Sequence, residues 1–230
     1  MAANRVTKKW LQNHFHYSWW KYLVIVAVSI MGIDMLFTST AYRVPEDKKL
    51  ELYICSGYID SMALENALWP QYQARYPEQE ELTVMNIDLS SGDMYANMQF
   101  TTYAAAQQGD VLLLPQAEVY KYAAEGADEF FLELTPFVES GVLNLQDIDS
   151  SAGMLKNAEG EMGLYAIPAD SLYGLSAFYS VPEGAMLCAT SYGGNDEHAA
   201  GLMNLMIELY KTEKPEGQKE TVEAPVTIFN

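Results

Sequence analysis

The sequence predicts an α/β protein in which a layered, mostly parallel sheet of about five strands is flanked by helices and preceded by one transmembrane helix. Three observations carry that expectation. Residues 22–38 are the one run apolar enough to be solvated by lipid. From residue 50 onward, short runs rich in Leu, Val and Ile alternate with helix-period segments, as in sheets whose strands are joined by helical crossovers. All 31 acidic residues lie beyond residue 21, so the apolar run divides two chemically unlike pieces.

At about 1.5 Å per helical residue the run reaches roughly 26 Å, and about 30 Å when continued through Ala41, the thickness of a hydrocarbon core. Residues 1–21 carry Arg5, Lys8, Lys9 and Lys21 and no acid, which by the positive-inside rule puts the N-terminus in the cytoplasm and the rest outside the cell. Trp19, Trp20 and Lys21, with Trp10, Tyr17 and Tyr22, form the expected interface with the lipid bilayer on the inner side. Asp34 opposes insertion by about 2.5–3.5 kcal/mol if it sits at mid-bilayer; its place late in the run assigns it to the outer leaflet, where the penalty shrinks. A functional intramembrane acid is the sharper alternative. A cleaved signal peptide competes with the retained anchor, because Ser39-Thr40-Ala41 offers small residues at cleavage positions. The long aromatic lead and Asp34 favour the anchor. No Cys follows the run at a lipid-attachment position.

Pro45 and three successive charges from Asp47 mark a solvated stalk. The chain thus divides into a cytoplasmic segment (1–21), a transmembrane helix (22–41), a stalk (42–49), an extracellular α/β domain (50–211) and a disordered acidic tail (212–230). Residues 50–56 alternate as a half-buried strand. Gly57 and Tyr58 break it before an amphipathic helix over about 61–76, where Leu64, Leu68, Tyr72 and Tyr76 recur every four residues and Pro77 forces the stop. Residues 82–88 form a second strand, and Ser91 is positioned to cap a helix over 93–108 that Gly109 closes. Residues 110–115 are a continuous apolar run, as short as strands buried on both faces. A short helix over 116–125 follows, then a polar stretch of loops and small helices ending near residue 160. Residues 163–168 and 185–190 are the last strands, and a helix over about 196–211 aligns Leu202, Leu205, Met206 and Leu209 on one face.

Beyond residue 21 the net charge is −22 (9 basic minus 31 acidic residues), which repels phosphate backbones and excludes nucleic acid as a partner. Cys55 and Cys188 lie in apolar strand runs, where a free thiol packs as a small hydrophobe; a disulfide between them is the open alternative. No cofactor or metal site is expected. His14 and His16 have no neighbouring Cys or acid, and His198, at a polar helix start, reads as solvated. There is no serine nucleophile elbow, His-Glu-x-x-His pair, phosphate-cradling glycine loop or dinucleotide fingerprint, and the chain is expected not to be an enzyme.

Six stretches follow one another in a telling order. They are the opening strand with its Ser56-Gly57-Tyr58 turn, the helix end Tyr72-Gln-Ala-Arg-Tyr-Pro77, Gly109-Asp-Val-Leu-Leu-Leu114, Phe131-Leu-Glu-Leu-Thr-Pro-Phe-Val138, Gly163-Leu-Tyr-Ala-Ile-Pro-Ala-Asp170, and Thr190-Ser-Tyr192 before the last helix. In that order they resemble the extracellular solute-binding proteins of bacterial ABC importers, of the sugar and oligosaccharide type, over about residues 50–211. The resemblance implies a single periplasmic-binding-protein-like lobe, a saccharide as ligand and an ABC importer permease as partner. It also exposes a departure. Residues 169–184 are all that separate the hinge strand from the return strand, where the family has a second lobe, so trapping of ligand between two lobes is lost.

In an open α/β sheet, ligands sit outside the carboxyl ends of the strands. Tyr58, Asp88, Gln116, Asp170 and Tyr173 lie there and are the candidate ligand-binding residues, able to hydrogen-bond and stack on a sugar. Acids and serines after strands also make turns and caps, which is the plainer role for each. The expected function is membrane-anchored, solute-binding-like recognition at the cell surface, associated with carbohydrate transport. The alternative is a non-enzymatic assembly module of a membrane complex that has lost solute binding, which exposure of Leu172, Leu175 and Phe178 would favour. Asp34 and Ser29 are the places where the span itself would touch a partner.

Overall fold

The computed structural model describes residues 8–178 and 184–212, without the side chains of 8–13, 15 and 17. It has two units, Met1–Arg43 and Val44–Asn230. The first holds helix α1, Lys8–Thr40. Its stretch Ser18–Thr40 is long and apolar enough to cross a membrane, and none of it is buried in the protein. Length and composition of this kind fit an anchor and a signal sequence alike.

In the second unit, strand β1 (Lys49–Ile54) shows why the sheet is covered on both sides. Leu50, Leu52 and Ile54 turn to one face and Tyr53 and the following Cys55 to the other, all at most 1% exposed. β2 (Glu81–Asn86) and β3 (Val111–Pro115) run parallel to β1 on its two sides. β3 sets Val111 and Leu113 on the first face and Leu112 and Leu114 on the second, which is why its apolar run is uninterrupted. Then come β4 (Met154–Lys156), β5 (Met162–Leu164), β6 (Ala166–Pro168) and β7 (Ala185–Ala189).

The main sheet has the order β2-β1-β3-β7-β6, and β4 pairs with β5 apart from it. β7 is antiparallel to both β3 and β6, so one strand of the five is reversed and four share a direction. The expected strand over 163–168 is divided in two. Gly163 pairs with Leu155 in the small hairpin, whereas Ala166 pairs with Cys188 in the main sheet.

Helix α2 (Ser61–Arg75) follows β1, and α3 (Met94–Ala105) follows β2. α4 (Gln116–Tyr122) leaves β3 directly, α5 (Thr135–Glu139) is a short turn, and α6 (Asp196–Tyr210) follows β7. Leu64, Leu68 and Tyr72 of α2 join Leu202, Leu205 and Met206 of α6 on the first face of the sheet; Ala96 and Phe100 of α3 and Val119 of α4 cover the second. Each fully buried leucine contributes roughly 1.5–3 kcal/mol by leaving water. The α3 cap is Asp93, which accepts from Tyr95 N at 3.0 Å, and not Ser91.

The second half of the expected stalk belongs to the domain. Glu46–Lys48 form a 3-10 turn held by Asn195 Nδ2, which donates to Glu46 O (2.7 Å) and Lys49 O (3.0 Å), and by Gln79 Nε2, which donates to Asp47 O (3.0 Å). At the other end Thr212 pairs with Leu172, and the remainder of the expected tail, 213–230, lies outside the described residues. Cys55 and Cys188 are free and buried. They share a face, but β3 runs between their strands, and Cys188 is level with Tyr53, two residues before Cys55, so they are more than two strand spacings, or over about 9–10 Å, apart; a disulfide needs Cα atoms about 4.4–6.8 Å apart.

Candidate functional site

The two faces are served by different exits from the sheet. β1 leads to α2 on the first face and β3 leads to α4 on the second, so adjacent loops diverge at the carboxyl edge, the topological switch point where open α/β sheets bind ligands. Ser56 stands there, one residue past Cys55, whose amide still donates to Leu113 O (2.8 Å). Its side chain is 1% exposed, and its hydroxyl has no hydrogen-bond partner among the described residues. A buried polar group left this way costs about 1–3 kcal/mol, so the position asks for an explanation. Ser171, in the turn after β6 at the same edge, has a second such hydroxyl.

The residues expected to bind ligand all lie at this edge, in two groups. Tyr58 is 79% exposed beside Asp88, whose Oδ1 accepts from Gly57 N (3.0 Å), Ser90 N (3.0 Å) and Ser90 Oγ (2.5 Å). Burial alone would raise that carboxyl, but these hydrogen bonds outweigh it and hold Asp88 below the ordinary carboxylate value. In the second group Asp170 Oδ1 accepts from Gly184 N (3.0 Å), and Gly184 O accepts from Gln116 N (2.9 Å). Gln116 Nε2 donates to Tyr120 OH (2.7 Å), and Tyr173 is half-buried at the start of the 3-10 turn Tyr173–Ala177. Asp88, Gln116 and Asp170 thus hold the protein's own loops together, the turn-forming role that strand-following polar residues commonly have. Tyr58 keeps a ring free for an incoming molecule.

Leu172 and Leu175 are fully buried, and Phe178 is half-buried against Tyr210, so these three do not form an exposed apolar face. Other side chains do. Met62 in the first turn of α2 (73% exposed) and Met94, Tyr95 and Met98 at the start of α3 (60–83%) stand at the carboxyl edge with Tyr58. Ser56 and these methionines were the residues the sequence pattern did not single out. A hydroxyl after a strand looks like a cap, and a methionine in a helix looks like core.

The opposite, amino edge is where charge is concentrated. Glu51 bonds Lys49, accepts from Tyr53 OH (2.6 Å) and from Gly109 N (3.0 Å), and lies beside Asp110, which is 7% exposed. Asp110 Oδ2 accepts from Glu51 N at 2.7 Å. Burial, reinforced by the Glu51 carboxylate, pushes Asp110 up to about 7, against the pull of the Glu51 amide and Lys49. Nearby, an open cleft of about 510 Å³ is lined by Asp47, Lys48, Glu78, Gly194, Asn195, Asp196, Glu197 and His198. His198 is not simply solvated: Nε2 lies 3.0 Å from Glu78, and the ring stands edge-on to Tyr76. Among the described residues no group of three or more His, Cys, Asp or Glu side chains is arranged to hold a metal ion.

No protein-family model matches the chain, and no curated protein matches it. Solved structures resemble part of it. One is an extracellular solute-binding protein family 1 from Alicyclobacillus acidocaldarius subsp. acidocaldarius DSM 446, at 16% identity and a TM-score of 0.37, over 56% of this chain and 28% of that one. Another is maltose-bound T. maritima MalE3, at 18% identity and a TM-score of 0.35, over 52% of this chain and 28% of that one. The chain therefore spans little more than a quarter of the length of either.

Proposed function

We propose that the chain is a membrane-anchored, extracellular recognition protein that presents a single solute-binding-like lobe and performs no chemistry. A saccharide is the proposed ligand, at the carboxyl edge between β1 and β3, and an importer permease the proposed membrane partner. The observation that carries the reading is the buried Ser56 hydroxyl, without a partner among the described residues and close in the chain to the exposed ring of Tyr58 at the switch point of the sheet. A sugar hydroxyl would complete the hydrogen bonding of Ser56 once the turn after β1 moves to uncover it, while a ring face lies on Tyr58. On this single-lobe reading the ligand is enclosed from one side and binding is weak. Calorimetric titration of the full chain in lipid nanodiscs with glucose, maltose and longer maltodextrins tests this. Saturable binding in the millimolar range that disappears in Ser56→Ala and in Tyr58→Ala supports it; no saturable binding of any of these, or binding indifferent to both changes, sinks it.

A second reading has its own observation. Met62, Met94, Tyr95 and Met98 extend the same edge with adaptable apolar side chains, which suit a subunit of a membrane complex better than they suit a sugar. On that reading the titrations are silent, and Met94→Asp with Met98→Asp releases the chain from a detergent-solubilised complex.

A further inference from the structure

We propose that α1 docks, through Asp34, against a transmembrane segment of a different protein that carries a basic side chain at the same depth. This rests on the reading of α1 as a retained span and names the chemistry of its partner. Asp34 stands on a continuous helix, about 20 Å beyond Lys21 and about 9 Å short of the helix end at Thr40. A hydrocarbon core of about 30 Å beginning at Tyr22 has its midplane near Gly32. Asp34 therefore lies about 3 Å past the middle, at the inner end of the outer leaflet and still within the hydrocarbon.

Nothing on the helix relieves it. The carboxylate makes no hydrogen bond or ion pair among the described residues, and Thr38, one turn on, donates its hydroxyl to the Asp34 carbonyl oxygen at 2.8 Å instead. A polar group at this depth needs a protein partner, because lipid tails offer neither donor nor counter-charge. A second copy of this chain cannot supply the counter-charge, since no Lys, Arg or His lies between Tyr22 and Tyr42. The complement has to come from a foreign span.

Helical spacing defines the face that would meet it. Ala27, Ile30, Met31, Phe37 and Thr38 share the side of Asp34, with Ala27 and Thr38 small enough to let two backbones approach. Leu36 points the other way. Ser29 sits about 140° around the helix from Asp34 and is not on this face.

The test uses the full chain, with an N-terminal epitope tag, in the membranes of the cells that make it. A photocrosslinking amino acid replaces Phe37 or, as the opposite-face control, Leu36. The expected result is a yield about tenfold higher from position 37 than from 36, in a crosslinked peptide whose span holds Lys, Arg or His within one turn of the attachment. The yield falls to the control level in Asp34→Leu and survives in Asp34→Glu. Crosslinking of one copy to another, a foreign span without a basic residue, equal yields from both positions, or an unchanged yield in Asp34→Leu each overturns the proposal. Loss of the tag, with the chain starting after Ala41, defeats the anchor reading itself, and the same gel separates that failure from the others.

Discussion

Replacing Asp110 by Asn should make the domain more stable at pH 8 and remove a pH dependence that the native residue imposes. The carboxyl is 7% exposed, takes the Glu51 amide at 2.7 Å, and has its ionised form opposed first by burial and then by Glu51. A folded value of about 7 lies above the unfolded value of about 3.9, so the folded state holds the proton more tightly. The sign follows. This group's contribution is fully favourable below pH 4, declines as pH rises toward 7, and is a constant penalty above it. The difference corresponds to roughly 4 kcal/mol in the limit. Asn keeps an acceptor for the Glu51 amide and carries no charge, so the expected gain at pH 8 is about 2–4 kcal/mol, shrinking toward zero at pH 4. Carboxylates held low, such as Asp88 and Glu208, act with the opposite sign as pH falls, but they are common to both proteins and cancel in the difference. The assay is urea unfolding of the chain from Val44 onward between pH 4 and 8, followed through Trp69, the one tryptophan in that portion, which packs partly buried against the core. A stability difference that is flat across that range, or a variant less stable than the native chain at pH 8, refutes the reasoning.

Gly109→Ala tests backbone geometry at the same edge. The residue sits at φ +93, and an added Cβ would stand 2.9 Å from the Tyr53 ring, so a loss of about 2–4 kcal/mol is expected in the same unfolding assay. An unchanged urea midpoint would show that the α3–β3 turn is not built as described. For the cysteines, burial pushes both thiols upward and β3 separates them. A thiol reagent should therefore leave both untouched in the folded chain and count two in urea without prior reduction; fewer than two would reveal a disulfide.

Most of the fold was legible because the faces of the sheet are written in the side chains. Leu50, Leu52 and Ile54 against Tyr53 and Cys55 require two covering layers, and the helix-period residues of α2 and α6 supply one of them. The direction of β7 was not legible, since Ala-Met-Leu-Cys-Ala reads alike from either end and only the pairing with Leu112 and Ile167 orients it. Tyr165 hides the division of its strand, because it is as buried as its neighbours while its amide turns to Gly153 O (3.0 Å). At the carboxyl edge the expected residues were in place, yet which ones are spent on turns depends on contacts far apart in sequence. Asp170 reaches Gly184 and Asp88 reaches Gly57, and neither spacing announces it. Leu172 and Leu175 were open to being surface until the 3-10 turn folded them against the core that includes Tyr210.

Two polar groups stand against the local pattern, Ser56 buried at the sheet edge and Asp34 in an apolar helix, and they lie in separate units. Sequences that fold well are consistent at every level, and departures retained against a stability cost are where function is expected. If the departures serve different purposes, they must be separable by mutation. Ser56→Ala removes a buried unsatisfied hydroxyl and should leave urea stability equal or higher, since no hydrogen bond is lost. It should also abolish saccharide binding while leaving crosslinking through Phe37 intact. Asp34→Leu should do the reverse, releasing the partner span while saccharide binding is unchanged. Loss of both readouts in either single variant would mean that the two sites are coupled or that one unit depends on the other for its fold. Circular dichroism of the variants distinguishes these, because a folding defect lowers the signal of the α/β domain and coupling does not.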